Sequence, residues 1–165
     1  MTPKLYLLCV DDEPDVLDVV VRELEPLEDV FPVETAASAA EARECLARIQ
    51  SAGDRLGVIF CDHIMPGENG VELLVSMSRD PAWKPTRKVL LTGQAGLEAT
   101  VKAVNEAGLA HYIAKPWDGD ELVRVAREQL SRYVADQKLN PLPYLRHLVM
   151  DLVADTLRSV GDSDR

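Results

Sequence analysis

Hydrophobic positions in this chain fall into short solid runs that alternate with longer stretches of helical spacing. The first run, Leu5-Tyr6-Leu7-Leu8-Cys9-Val10, is almost uninterrupted and predicts a strand buried on both faces. It ends in Asp11-Asp12-Glu13-Pro14, where a proline at a first helical position and acids around a helix N-terminus mark a helix start. Leu17, Val20, Val21, Leu24 and Leu27 then keep helical spacing. Residues 30–36 predict a short second strand, and Ser38 is placed to cap a second helix whose stripe is Ala39, Ala42, Leu46 and Ile49. The run Leu56-Gly57-Val58-Ile59-Phe60-Cys61 predicts a third buried strand that stops at Asp62. Pro66, Gly67 and Gly70 make the loop before a third helix over 71–77. A loop holding Trp83 between Pro81 and Pro85 leads to a fourth strand, Lys88 to Leu91, which ends at Thr92-Gly93. A fourth helix over 97–107 places Leu97, Val101 and Val104 on one face and stops at Gly108, a C′ glycine. The fifth strand, 110–114, ends at Lys115-Pro116-Trp117. Asp118 is placed to cap a fifth helix with Leu122, Val125, Ala126, Leu130, Tyr133 and Val134 as its stripe.

Strand and helix alternating five times imply a parallel sheet with right-handed crossovers and helices on both faces, a doubly wound α/β fold. Asn140-Pro141-Leu142-Pro143 breaks the alternation, and residues 142–160 predict a separate amphipathic helix. That helix either folds back as a cap or pairs its stripe with another chain; two heptads are too few for a coiled coil. The chain therefore divides into a domain over 1–137 and a tail over 138–165, a linker and helix with a frayed end. A length of 165 residues suits one domain plus such an extension.

A net charge of -10 argues against holding nucleic acid or an anionic membrane by its own field and favours basic partners and bound cations. No apolar run is long enough to span a bilayer, and Met1-Thr2-Pro3-Lys4 leads straight into a strand. Cys9, Cys45 and Cys61 sit in apolar runs without metal-ligand spacing, as expected of reduced core thiols in a cytoplasmic protein.

Four strands end in chemistry: Asp11 and Asp12, Asp62, Thr92, and Lys115. A parallel sheet brings all four ends to one crevice. Carboxylates held there repel, at about 4 kcal/mol for unit charges about 4 Å apart at an effective dielectric near 20. Lys115 supplies one compensating charge and an oxygen-seeking cation the rest, with Mg²⁺ the natural choice because it accepts one or two carboxylates and keeps its waters. His63, His111 and His147 share no spacing that suits zinc. A carboxylate beside a cation, a lysine and a hydroxyl is a nucleophile for phosphoryl transfer.

Asp11-Asp12, Asp62 followed by Met65-Pro66 and Gly70, Leu91-Thr92-Gly93, and Tyr112 ahead of Lys115-Pro116 together resemble the receiver domain of bacterial two-component response regulators. The resemblance covers roughly residues 4–136. It implies a flavodoxin-like (βα)5 fold with strand order 2-1-3-4-5, here with an extra C-terminal helix. It implies that Asp62 accepts a phosphoryl group from a histidine kinase or histidine phosphotransfer protein. Mg²⁺ would be held by Asp11, Asp12, Asp62 and the backbone carbonyl of Ile64. Lys115 would contact the phosphoryl group, before a cis Lys115-Pro116 bond. Thr92 and Tyr112 would form the switch pair, changing the face built from the fourth helix, fifth strand and fifth helix. That face, or the C-terminal helix, would meet a second copy or a downstream output protein. Gly93 would leave the site open on one side, and apolar Ile64, two residues past the acceptor, implies slow self-dephosphorylation. The segment 91–99 with Lys115-Pro116-Trp117-Asp118 also resembles receivers that precede larger signalling outputs.

Simpler readings stand beside these. Asp11-Asp12 alone could serve a helix dipole, Asp62 a turn, and Lys115 the solvent; all of them together at strand ends favour the functional reading. Tyr112 reads almost equally as a half-buried core aromatic. Trp83 and Trp117 read as packing residues, His63 and His147 as solvated bystanders. Residues 130–165 hold one helix and no basic recognition helix, so readout is expected through protein contacts. On this reading the chain is no turnover enzyme and catalyses only its own phosphorylation and dephosphorylation. Two rivals remain: an aspartyl-nucleophile phosphatase, which usually needs an acid where Ile64 stands, and a phosphorylation-independent interaction module on the same scaffold.

Overall fold

The computed structural model of the chain describes residues 3–93 and 97–163. Strands β1 (Leu5–Val10), β2 (Val33–Ala36), β3 (Arg55–Asp62), β4 (Arg87–Thr92) and β5 (His111–Ala114) form one parallel sheet in the order β2-β1-β3-β4-β5. Helices α1 (Pro14–Leu24), α2 (Ala39–Ser51), α3 (Gly70–Ser78), α4 (Leu97–Ala107) and α5 (Glu121–Asp136) connect or follow them. This is the flavodoxin-like, doubly wound arrangement expected. Alternate strand residues feed two cores. Leu7, Cys9, Phe60, Leu91 and Ile113 pack with α1 and α5, while Leu8, Val10, Ile59, Cys61 and Leu90 pack with α2, α3 and α4. Burial on both faces explains why the strands read as solid apolar runs rather than alternating ones. The three cysteines are buried and free, as expected. Among the described residues no helix is long and apolar enough to cross a membrane.

Local signals set most element ends. Ser38 accepts a hydrogen bond from Glu41 N at 3.2 Å and caps α2, and Asn69 caps α3 through Glu72 N at 2.9 Å. Gly108, at φ +66°, ends α4, and Leu109 N reaches back to the Ala103 carbonyl.

Several expectations need correction. The second strand starts at Val33, because a 3₁₀ turn over Glu25–Leu27 and the bond from Phe31 N to Leu27 O occupy the preceding residues. Asp118 does not cap α5 with its side chain. Gly119, at φ +46°, adds a turn, and the helix begins at Glu121, whose N–H donates to the Asp118 carbonyl. Of the apolar face read on α4, the Leu97 side chain lies outside the described residues and Val101 and Val104 are 46% and 51% exposed; the helix packs through Ala103 and Ala107. Those small side chains let α4 sit close to α3, where Ser78 Oγ donates to the Glu106 carbonyl at 3.0 Å.

The tail is not one helix over 142–160. A 3₁₀ turn spans Leu142–His147, Leu148 is extended, and α6 runs over Met150–Ser163. Pro141 and Pro143 favour the tight turn, and Val149 N donates to Ser131 Oγ on α5 rather than continuing a helical ladder. The segment folds back as a cap. Tyr144 stacks on Phe31 with ring centroids 5.6 Å apart, and its hydroxyl donates to the Pro3 carbonyl. Tyr144, Leu148 and Val153 join the core on the α1–α5 side. His147, expected to be a bystander, instead hydrogen-bonds Asp29 through Nε2 at 2.7 Å, and Arg146 pairs with the other Asp29 oxygen. The His147 hydrogen bond holds the Asp29 carboxyl below its ordinary pKa.

Candidate functional site

The strand order reverses between β1 and β3, so a crevice opens at their carboxyl ends. Parallel register aligns those ends: Val10 lies opposite Cys61, Asp62 opposite Leu91, and Thr92 opposite Ala114. Asp12, Glu13, Asp62, His63, Ile64, Thr92, Gly93 and Lys115 line a cavity of about 350 Å³ there. The four chemical groups expected at strand ends are thus brought together.

Asp11 is fully buried, Asp62 and Thr92 are each 7% exposed, and Asp12 faces solvent. Lys115 Nζ bridges the two buried acids, 2.7 Å from Asp11 Oδ2 and 3.0 Å from Asp62 Oδ1. Asp11 Oδ1 accepts from the Glu13 backbone N–H at 2.9 Å, which ties the first acid to the start of α1. Lys115 is itself held by its N–H on the Thr92 carbonyl, and the Lys115-Pro116 bond is cis as expected.

The electrostatics follow from burial and pairing. Burial raises the Asp62 pKa, the Lys115 hydrogen bond opposes that rise, and Asp11 and Asp12 add to it; the net shift is upward. Burial alone would lower the Lys115 pKa, but the hydrogen bonds to Asp11 and Asp62 outweigh it and the ammonium is held charged. One lysine cannot balance three acids.

Asp11, Asp12 and Asp62 each offer a carboxylate oxygen, and these atoms lie within 4.8 Å of one another. An all-oxygen, anionic donor set suits Mg²⁺, and among the described residues no histidine or cysteine joins it to favour zinc. Ile64 lies on the loop after Asp62 with its side chain 72% exposed, adding no polar group to the cavity wall. Among the described residues nothing lies within 4 Å of where a Cβ on Gly93 would stand.

Gly70 is required by contact. A Cβ there would lie 1.8 Å from the Asp62 carbonyl oxygen, and Gly70 N donates to His63 O at 2.8 Å. The glycine lets α3 close on the acceptor strand. Tyr112 is not a half-buried core aromatic. It is 55% exposed and stacks on His111, one strand away from Thr92.

Sequence reasoning missed two groups near the site. Trp117 packs against the α1–α5 core as read from the sequence, and its Nε1 also donates to Glu23 Oε2 at 2.7 Å, which the sequence did not show. Together they flank a groove of about 410 Å³ between α1 and Pro116. His63 lines the cavity at the strand ends, and its Nδ1 is buried with no hydrogen-bond partner among the described residues. Neither contact carried a local sequence signal.

The model of the response regulator receiver domain matches residues 7–127. The chain belongs to the response regulator receiver family. The receiver is 37% identical over 122 residues to the hydrogenase transcriptional regulatory protein HoxA of Cupriavidus necator, covering 74% of this chain and 23% of that protein. It is 31% identical to the response regulator Rre1 of Synechocystis over 82% of this chain and 55% of that one. The receiver thus spans well under two thirds of these relatives' length. Among solved structures, a CheY-like receiver from Methanospirillum hungatei superposes with a TM-score of 0.69 at 28% identity, covering 82% of this chain and 99% of that one. The receiver domain of NtrX from Brucella abortus gives 0.61 at 29% identity over 75% and 97%.

Proposed function

We propose that this receiver accepts a phosphoryl group on Asp62 from a phosphohistidine of a histidine kinase or phosphotransfer protein. The observation that carries the reading is Lys115 Nζ seated between Asp11 and Asp62 at the mouth of an otherwise acidic cavity. A carboxylate oxygen of Asp62 attacks phosphorus, the P–N bond breaks, and the donor imidazole leaves with its electron pair. The Lys115 ammonium, already hydrogen-bonded to Asp62, neutralises charge on the transferring oxygens. The Thr92 hydroxyl, at the cavity wall, donates to one of them. Asp11, Asp12, Asp62 and the Ile64 carbonyl are the residues that would hold Mg²⁺, which when bound supplies further positive charge to the phosphoryl oxygens.

The chain acts as an acceptor that catalyses only its own phosphorylation and dephosphorylation, not as a turnover enzyme. Ile64 places no acid or amide beside the acceptor, which argues against a phosphatase and for a long-lived phosphoryl group. Replacing Ile64 with Asn or Glu should shorten the half-life of the phosphorylated state; an unchanged or longer half-life would sink that part of the reading. On phosphorylation Thr92 would move toward the phosphate and the exposed Tyr112 ring inward, altering the α4–β5–α5 face. Exposed Val101, Val104 and Tyr112 give that face an apolar patch for a second copy or an output protein. Relatives named as transcriptional regulators and spanning far more residues support an output acting through such contacts.

The test is incubation with Mg²⁺ and a small acyl phosphate, read by intact mass and size-exclusion chromatography, with Asp62→Asn alongside. A gain of one phosphoryl mass in the wild type only is expected. No gain, where a known receiver reacts, would leave an interaction module on a receiver scaffold.

A further inference from the structure

The loop between β3 and α3 carries Ile64 and follows directly on Asp62, so its conformation sets the site. It is tied down three times. At its base Gly70 N donates to His63 O, and at its end Asn69 caps α3. The third tie comes from a different element. Arg43 on α2 makes a two-pronged contact with Glu68, Nε to Oε1 at 3.2 Å and Nη2 to Oε2 at 2.7 Å. The same Nη2 also donates to Ser76 Oγ on α3 at 2.9 Å, and Ser76 Oγ donates in turn to the Leu73 carbonyl at 2.7 Å. One guanidinium therefore joins α2, the loop and α3.

We propose that Arg43 is a positioning residue, whose fork on Glu68 and Ser76 holds the loop that carries Ile64 in the geometry needed to bind Mg²⁺. The inference rests on the function proposed above. Glu68 follows Gly67, whose φ of +80° gives the loop a sharp turn at that point. A planar fork fixes both oxygens of a carboxylate and so restrains orientation as well as distance, which an ammonium cannot do. The side chains are 47% and 30% exposed, so the pair adds little to global stability. Its effect falls on loop geometry, four residues from Ile64, and so on cation affinity rather than on folding. Partners that orient metal ligands typically change metal affinity by about 10–100-fold when removed. An exposed clamp belongs at the lower end, about tenfold.

The test titrates Mg²⁺ alone into the full chain by calorimetry, for the wild type, Arg43→Gln, Arg43→Lys, Glu68→Gln and the swap Arg43→Glu with Glu68→Arg. The three single variants should each bind Mg²⁺ about tenfold more weakly, with Arg43→Lys failing like Arg43→Gln, and the swap should recover part of the loss. In acyl phosphate assays the Mg²⁺ needed for half-maximal rate should rise while the rate at saturating Mg²⁺ stays unchanged. Equal Mg²⁺ affinity in the wild type and the single variants, or no Mg²⁺ binding by the wild type, would overturn the proposal. A wild type that binds Mg²⁺ but gains no phosphoryl mass would instead refute the acceptor reading and leave the affinity comparison to judge the clamp.

Discussion

Replacing Tyr144 with Ala asks whether the folded-back tail is part of the receiver's core or a tether. Tyr144 is 6% exposed, and its ring stacks on Phe31 at 5.6 Å and an interplanar angle of 20°. Truncating a buried aromatic to Ala typically costs about 3–5 kcal/mol, within which the ring pair accounts for about 0.5–1.5. The hydroxyl bond to Pro3 O is long at 3.3 Å and belongs at the low end of a hydrogen bond's net worth, about 0.5 kcal/mol. Tyr144→Ala should therefore lose about 3 kcal/mol and Tyr144→Phe about 0.5. In urea unfolding, at a slope of about 2 kcal/mol/M, the first change lowers the midpoint by about 1.5 M with the slope unchanged. The second lowers it by about 0.25 M. A Tyr144→Ala midpoint within about 0.3 M of the wild type would refute the reasoning and leave the tail as a loosely held linker.

Three further outcomes follow from the same structure. Gly70→Ala places a methyl 1.8 Å from the Asp62 carbonyl oxygen, so backbone must move; the variant should lose about 3 kcal/mol or more in denaturant and phosphorylate slowly even when folded. A stable variant phosphorylated at the wild-type rate would contradict the contact. Lys88, 2% exposed and donating to the Trp83, Lys84 and Thr86 carbonyls, has its pKa lowered by burial to about 8 from 10.5. The unfolded chain binds this proton more tightly, so the Lys88 contribution to stability rises between about pH 8 and 10.5, and the wild-type minus Lys88→Met difference in unfolding free energy should show that rise. A flat difference across that window would mean the lysine is not held in a desolvated site. Asp29, whose pKa the His147 hydrogen bond lowers, contributes stability above its ordinary pKa of 3.8 that is lost as pH falls through the lower folded value. Asp29→Asn should therefore flatten the acid limb of a stability curve, and an unchanged limb would speak against the pairing.

The parts of this fold that the sequence made legible are those with local causes. Runs buried on both faces announce strands, and a proline, a serine cap or a C′ glycine marks where helices start and stop. Parallel topology then carries Asp11, Asp12, Asp62, Thr92 and Lys115 to one edge without further information. Other features depended on contacts between distant residues. Val101 and Val104 gave the stronger apolar signal on α4, yet Ala103 and Ala107 face the protein because close approach to α3 favours small side chains. The tail broke into a turn and a helix because Ser131, Arg127 and Phe31 offered partners to Val149, His147 and Tyr144. The Arg43–Glu68 fork joins α2 to the loop between β3 and α3, and Trp117 meets Glu23 across 94 positions. None of these pairs has a spacing that a single sequence displays.

The central claim is that Asp62 itself carries the phosphoryl group. An aspartyl phosphate is an acyl phosphate, so hydroxylamine added after acyl phosphate and Mg²⁺ treatment displaces the phosphate and leaves a hydroxamate on the residue that held it. Peptide mass mapping should place that mark on Asp62, with Asp11 and Asp12 unmodified. A mark on another residue, or a phosphoryl group that resists hydroxylamine, would contradict the account.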